Sequence, residues 1–414
     1  PRLVHPDDHG RTPRSRDQRQ EVSRVMEFKS VRFASIALVS LAFATVASCQ
    51  ETPTPAASGQ PADNPAGAVD FAKEDMGTFD EPWAMAFEPG TGTLFVTEKS
   101  GTLKFRKADG TTGTVSGVPE VDYGGQGGLG DIVFAPDYAS SRAVYLSFAE
   151  AGPGDTRGAA VARATLQCGQ PDNCTLRDPR VIWRQDEKVT GRGHYSHRIA
   201  FSPDGDFLFI ASGDRQKMQP AQDLSNNLGT VVRLLPDGTP APGNPFTGEA
   251  NANPEIWSYG HRNILGLAFD ARGQLWDLEH GPQGGDELNL VQRGANYGWP
   301  NVSNGIHYDN EPIPDHAPGD PYVAPVEWWD PVIAPGGMIF YSGALFPGWQ
   351  GNALIAGLVS QGLVLVKMDG TSAKETARYD FGERLRAVAE APDGSVWVAE
   401  DGPEATIWRL TPAG

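Results

Sequence analysis

Residues 259–300 read YGHRNILGLAFDARGQLWDLEHGPQGGDELNLVQRGANYGWP. Two apolar runs, Ile264 to Phe269 and Leu275 to Leu278, flank the turn Asp270-Ala271-Arg272-Gly273. Apolar runs around a glycine-closed turn read as a β-hairpin of half-buried strands. The groups around it are more polar than scaffolding requires. Arg262 and Asn263 precede the first run, and His280-Gly281-Pro282 follows the second. Asp286 and Glu287 come next, and Asn296-Tyr297-Gly298-Trp299-Pro300 closes the stretch. Loops that flank a rigid hairpin are where binding and catalytic groups are usually mounted.

The same unit recurs along the chain: an apolar strand, a turn often built on Pro-Asp-Gly, a second apolar strand and often an acidic end. The copies are AMAFEPGTGTLFVTEK from Ala84, DIVFAPDYASSRAVYLSFAE from Asp131 and RIAFSPDGDFLFIASGD from Arg198, followed by GLAFDARGQLWDLEHG from Gly266, GMIFYSGALFPGWQGNALIAG from Gly337 and AVAEAPDGSVWVAEDG from Ala387. Their spacing of roughly 45 to 70 residues leaves room for four strands each. Long helical periodicity is absent. Six copies predict an all-β, six-bladed β-propeller over residues 71–414, in which polar clusters at the hairpin ends would converge on one axial pocket.

The chain opens on Pro1, and residues 1–25, rich in Arg and Asp without periodicity, read as translated upstream sequence. Met26 opens a secretory pattern: Lys29 and Arg32, then an apolar run from Phe33 to Val46, then small residues before Cys49. Val46-Ala47-Ser48-Cys49 resembles a bacterial lipobox. Residues 26–48 are therefore expected to be a signal peptide and Cys49 a lipid anchor, with ordinary cleavage nearby as the alternative. Residues 49–70, rich in Pro, Ala and Ser, read as a disordered tether. The expected location is the periplasm or cell envelope, with membrane contact only through the anchor. Cys168 and Cys174, in the polar stretch LQCGQPDNCTL, suit a local disulfide in an oxidising compartment. The net charge is −18, and residues 1–48 carry more basic than acidic groups, so the remainder is more acidic still. Such a surface argues against nucleic acid and anionic lipid as partners.

Four glycines around Gln126, at positions 124–128, would let backbone approach a flat ligand closely. His194 lies in Gly193-His194-Tyr195-Ser196-His197-Arg198 just before the third hairpin, which returns to Gly213-Asp214. It reads either as a base or as a satisfied core histidine. A guanidinium such as Arg262 at a channel mouth suits a carbonyl that gains negative charge, with a structural ion pair as the alternative. Arg384 and Arg386 alternate and so share one side of a strand, as ligands or as a solvated edge. None of the eight histidines has H-x-H or HExxH spacing, so a zinc or iron site lacks support. Calcium prefers oxygen ligands, main-chain carbonyls included; for Glu287 a solvated acidic turn is the competing reading.

Taken together, these segments, from about residue 75 to 412, resemble the soluble quinoprotein sugar dehydrogenases of the glucose/sorbosone dehydrogenase family. The resemblance implies pyrroloquinoline quinone (PQQ) and calcium (Ca2+) as cofactors, and oxidation of aldose sugars at the anomeric carbon to lactones, with electrons passed to an external acceptor. It implies His194 as proton acceptor held by Asp214, with Arg262 and Asn263 at the quinone oxygens. Gln126, Tyr308, Arg384 and Arg386 would complete the cofactor site. One calcium would sit on the carbonyls of Gly281 and Pro282, and in some members a further one lies by the residues matching Glu287 and Tyr297. Two departures stand out. Gly193 occupies a position that is acidic in the best-known glucose dehydrogenases, and Ala356-Gly357-Leu358-Val359-Ser360-Gln361 lacks a lysine that relatives often carry. The rival readings are a calcium-dependent lactone hydrolase on a similar propeller and a non-catalytic propeller that binds glycans or a protein.

Overall fold

The computed structural model describes residues 69–169 and 173–414. The expected upstream segment (1–25) and signal peptide (26–48), with Cys49, lie outside the described residues, as does the tether up to residue 68. Each of the six hairpins forms where its turn chemistry directs. In the third, Gly205 takes φ +79°, while Asp204 Oδ1 accepts from Ser202 Oγ at 2.5 Å and the Asp206 amide at 3.1 Å. In the fourth, Asp270 Oδ1 accepts the Arg272 and Gln274 amides, each at 2.9 Å, and Gly273 takes φ +77°. Both are side-chain-capped turns of the Asx type.

Each hairpin opens an antiparallel meander. The last meander takes its outer strand from the start of the described chain, where Phe71–Phe79 pairs with Ala405–Pro412. The first two meanders merge into one eight-stranded sheet, because Thr112–Ser116 pairs in parallel with Asn173–Arg184 at Val115–Cys174 and Ser116–Thr175. Cys168 and Cys174 face each other across the neighbouring ladder and are joined by the expected disulfide. The second strands Leu94–Glu98, Leu208–Ser212, Leu275–Glu279 and Ala353–Gly357 are buried at every residue. Strands covered on both faces lose the alternating pattern and read as continuous apolar runs. No helix among the described residues is long and apolar enough to cross a membrane.

What positions the site is a defect repeated in all six hairpins. Every opening strand slips register near its start: at Pro82/Ala84, Leu129/Ile132, Ser196/Ile199, Ile264/Gly266, Pro335/Gly337 and Leu385/Ala387. A bulge re-aims the residue it frees from the ladder. Those residues are Trp83, Gly130-Asp131, His197-Arg198, Leu265, Gly336 and Arg386. Because the opening strands touch one another in a closed cycle, the bulges meet in the middle.

Arg198 joins them. Its guanidinium donates to Leu265 O at 2.7 Å, Gly336 O at 2.6 Å and Asp131 Oδ1 at 3.3 Å, and lies 4.0 Å above the Trp83 ring. Asp131 in turn accepts the Ile199 amide at 3.0 Å. Removing the guanidinium would strand a buried carboxylate and two buried carbonyls. Arg198→Leu is therefore expected to cost about 3–5 kcal/mol in denaturant unfolding; a loss below about 1 kcal/mol would show that the bulges hold together without it.

Candidate active site

The bulged residues Trp83, His197, Leu265 and Arg386 line a cavity of about 240 Å³ together with Lys99, Gln126, Asn263, His280, Leu358 and Arg384. Beside it stands His194, whose backbone amide donates to Gln126 Oε1 at 2.7 Å. His194 Nδ1 lies 2.7 Å from Asp214 Oδ1. Asp214 is fully buried and also accepts the Gln216 amide at 2.8 Å, the Met218 amide at 3.2 Å and the Trp299 indole at 2.8 Å. Burial alone would push this carboxyl up, but His194, Trp299 and the Gln216 amide outweigh it and hold it below its usual range. An ionised carboxylate only accepts, so Nδ1 carries the imidazole proton and Nε2 keeps its lone pair. Burial pushes the imidazole itself below its ordinary 6.5; Asp214 opposes this, and the Arg262 charge pushes the same way. His194 is thus a neutral, oriented imidazole at neutral pH.

Its backbone is held under strain. His194, Ser196 and His197 take φ of 48°, 57° and 52°, and Arg215, Gln216 and Met218 take 55°, 59° and 62°. Such values are uncommon away from glycine and persist only where the surroundings impose them. Arg215 imposes them here. Fully buried, it donates to Gly193 O at 2.8 Å, Gly191 O at 2.6 Å and Arg157 O at 2.6 Å, and stacks 3.8 Å from the Tyr195 ring. A side chain at Gly193 would run into the Gln216 amide, whose Cδ lies 2.5 Å from an ideal Cβ.

Arg262 sits close enough to bias His194 and is tied to it through Trp299. Its guanidinium lies 5.2 Å from that ring, donates to His280 O at 3.0 Å and reaches the Tyr308 hydroxyl at 3.4 Å. Its buried Nε has no hydrogen-bond partner among the described residues. Asn263 lines the cavity beside it. Tyr308 is 72% exposed. Arg384 and Arg386 both turn their Nε atoms to one carboxylate, Asp401, at 3.0 and 2.9 Å. Of the expected site residues, Gln126, Asn263, Arg384 and Arg386 line the cavity, whereas His194, Asp214, Arg262 and Tyr308 lie outside its lining, His194 next to it through Gln126 and Arg262 through His280.

The expected calcium ligands separate into two places. Gly281 and Pro282 form the turn after His280, beside Arg262. A Cβ at Gly281 would lie 2.2 Å from the Gly284 and Gly285 carbonyl oxygens, so only glycine closes this turn. The Gly281 amide is held by Asp286 Oδ1 at 3.0 Å, and burial pushes the Asp286 carboxyl up to about 7. Glu287 and Tyr297 lie instead against a buried acidic cluster. Glu287 is a strand residue opposite Glu279, and Asp277 stands opposite Asn289, which replaces the reading of Glu287 as a solvated turn. Tyr297 stacks 4.5 Å from the His261 ring. Its hydroxyl is committed to Leu290 O and the Gln292 amide, so a ligand from Tyr297 would be its carbonyl.

His261, Asp277 and Glu279 bring ligand atoms within 4.8 Å of one another. Asp277 Oδ2 and Asn289 Oδ1 are buried without a hydrogen-bond partner. Burial first, and then the Glu279 charge, pushes the Asp277 and Glu287 carboxyls well above their usual range. Oxygen atoms left unpaired in an over-acidic interior fit a hard cation such as calcium. The cluster also carries the site, since Glu279 Oε2 accepts the Arg262 amide at 2.6 Å and the Asn263 amide at 3.2 Å.

The Glucose / Sorbosone dehydrogenase family model matches residues 79–409. The chain belongs to the glucose/sorbosone dehydrogenase family. It is 38% identical over 340 residues to aldose sugar dehydrogenase YliI of Escherichia coli, covering 80% of this chain and 90% of that protein. The apo crystal structure of the soluble E. coli aldose sugar dehydrogenase superposes with a TM-score of 0.79 at 36% identity, covering 83% of this chain and all of that one. The PQQ-bound aldose sugar dehydrogenase of Streptomyces coelicolor superposes at 0.68 with 30% identity, covering 84% and 99%.

Within this family member, Arg215, the Trp299 bond to Asp214 and the cluster behind Arg262 escaped sequence reasoning. The cluster left a trace: Asp277 and Glu279 alternate on one strand, facing Glu287 and Asn289 on the next, which puts their side chains on one face. Calcium should raise the thermal midpoint at pH 7.5 and a chelator should lower it. In chelator, carboxyls with raised folded pKa bind protons that the unfolded chain does not. Their contribution is therefore favourable below the unfolded values and is lost as pH rises through the folded ones. Asp277→Asn should raise the midpoint in chelator by about 2 °C or more and shrink the calcium effect. No calcium effect, with Asp277→Asn neutral, would contradict a cation here.

Proposed function

We propose that this protein is a PQQ- and calcium-dependent aldose dehydrogenase on a six-bladed propeller, the eight-stranded sheet counting as two blades. It oxidises aldoses at the anomeric carbon to lactones and passes the electrons to an external acceptor. The observation that carries the reading is the neutral His194 imidazole, oriented by Asp214, with the Arg262 guanidinium close enough to act on it. The names of its relatives supply the substrate class and the cofactor. The Cys168–Cys174 disulfide supports an exported chain.

In this reading His194 Nε2 takes the proton of the anomeric hydroxyl, and Asp214 stabilises the imidazolium that results. Arg262 and Asn263 offer donors to an oxygen that gains negative charge, in a site where burial strengthens each bond. PQQ, when bound, supplies the two-electron acceptor for the hydride that leaves the anomeric carbon. Arg384 and Arg386, which line the pocket, would hold carboxylates of such a cofactor. The cavity lining includes Lys99, Arg384 and Arg386 and, among the described residues, no carboxylate. That lining suits an anionic cofactor better than the acidic metal site a lactone hydrolase needs.

The test is reconstitution of the apo-protein with PQQ and calcium, followed by dye reduction across a sugar panel. His194→Ala should cost on the order of 10² to 10⁴ in kcat while PQQ binding is kept. Since burial holds the imidazole below 6.5, the acid limb of kcat/KM should also fall below that pH. Near-normal sugar oxidation by His194→Ala would overturn the assignment.

A further inference from the structure

At one end of the cavity three cations share two carboxylates. Arg384 and Arg386 pair with Asp401. Lys99 Nζ pairs with Glu81 Oε1 at 2.9 Å, and the other Glu81 oxygen takes the Tyr123 hydroxyl. The two pairs are neighbours: the Glu81 amide donates to Gly402 O at 2.9 Å, and the Asp401 charge acts on Glu81. Lys99, Arg384 and Arg386 line the cavity; Glu81 and Asp401 do not. The carboxylates therefore hold the cations from behind and leave donors facing the pocket. An ammonium has three N–H groups, and Glu81 occupies one.

Lys99 is fixed at its base. Its amide donates to Glu81 O and its carbonyl accepts the Leu129 amide, each at 3.0 Å, so its backbone is tied to the starts of the first two hairpins. Gly128 makes this close approach possible, since a Cβ there would lie 2.1 Å from Lys99 O. The side chain is only 17% exposed. Across the pocket, the stretch Ala356–Gln361 contributes only the uncharged Leu358.

We propose that Lys99 is a third cofactor-binding cation, which grips a carboxylate of the bound quinone alongside Arg384 and Arg386 while Glu81 serves as its resting counterion. The inference rests on the proposed use of PQQ and is read by binding, not turnover. PQQ would be titrated into calcium-loaded apo-protein and followed by tryptophan fluorescence at several salt concentrations. Loss of a charge-assisted bond should make Lys99→Met bind about tenfold or more weakly, with a flatter salt dependence, while Lys99→Arg stays near wild type. Glu81→Gln should bind PQQ as tightly as wild type or tighter, because it frees the ammonium. If Lys99→Met folds poorly, Lys99→Gln takes its place, with the thermal midpoint of the apo-protein as the check. Wild-type affinity in the neutral Lys99 variants would overturn the inference. So would equal weakening by Glu81→Gln and Lys99→Met, which would mark the pair as a structural clip. Failure of the wild-type protein to bind PQQ would overturn the proposed function along with it.

Discussion

The Arg198 guanidinium holds the centre of this molecule. Six meanders could pack side by side through apolar faces alone, yet packing would not fix where their bulged ends point. Arg198 makes that choice by binding Leu265 O, Gly336 O and Asp131 at once and covering Trp83. One side chain thus spans the bulges of five hairpins. Burying a guanidinium is costly unless its donors are met and its charge is paired. Here both conditions hold, and the same contacts form the base beneath the pocket.

Above that base, charge is arranged in opposed layers. The cavity wall is cationic, through Lys99, Arg384 and Arg386, and the counterions Glu81 and Asp401 stand behind it. The Arg262-Asn263 corner follows the same plan, with Glu279 behind its amides and Asp277 and Glu287 behind Glu279. Acids placed behind the lining keep donors turned inward and leave carboxylates out of contact with an anionic ligand. The base obeys the opposite rule. His194 must remain neutral, and burial with the Arg262 charge keeps it so, while Asp214 fixes its proton on Nδ1.

Local signals were legible in the sequence. Hairpin turns are set by a few neighbouring residues, so all six could be read, and His194, Asp214 and Arg262 drew notice because they flank those hairpins. What escaped depends on distance along the chain. The outer strand Phe71–Phe79 carries Lys73, Glu74 and Asp75 in a row and pairs with residues more than 300 positions away. No local pattern announces such closure. The buried roles of Arg198 and Arg215 could not be read, because their carbonyl partners carry no sequence mark. The parallel joint that fuses the first two meanders involves only Val115–Cys174 and Ser116–Thr175, too short to leave a signature.

The central claim is that the anomeric C–H bond breaks in a pocket whose base is His194. Single-turnover reduction of the PQQ-loaded protein, with aldose carrying deuterium at the anomeric carbon, tests this most directly. The account predicts a several-fold slower reduction with the anomeric deuterium, no slowing with deuterium at the primary alcohol carbon, and a lactone as product. Reduction that ignores the anomeric label, or that slows when the primary alcohol carbon is labelled instead, would contradict it.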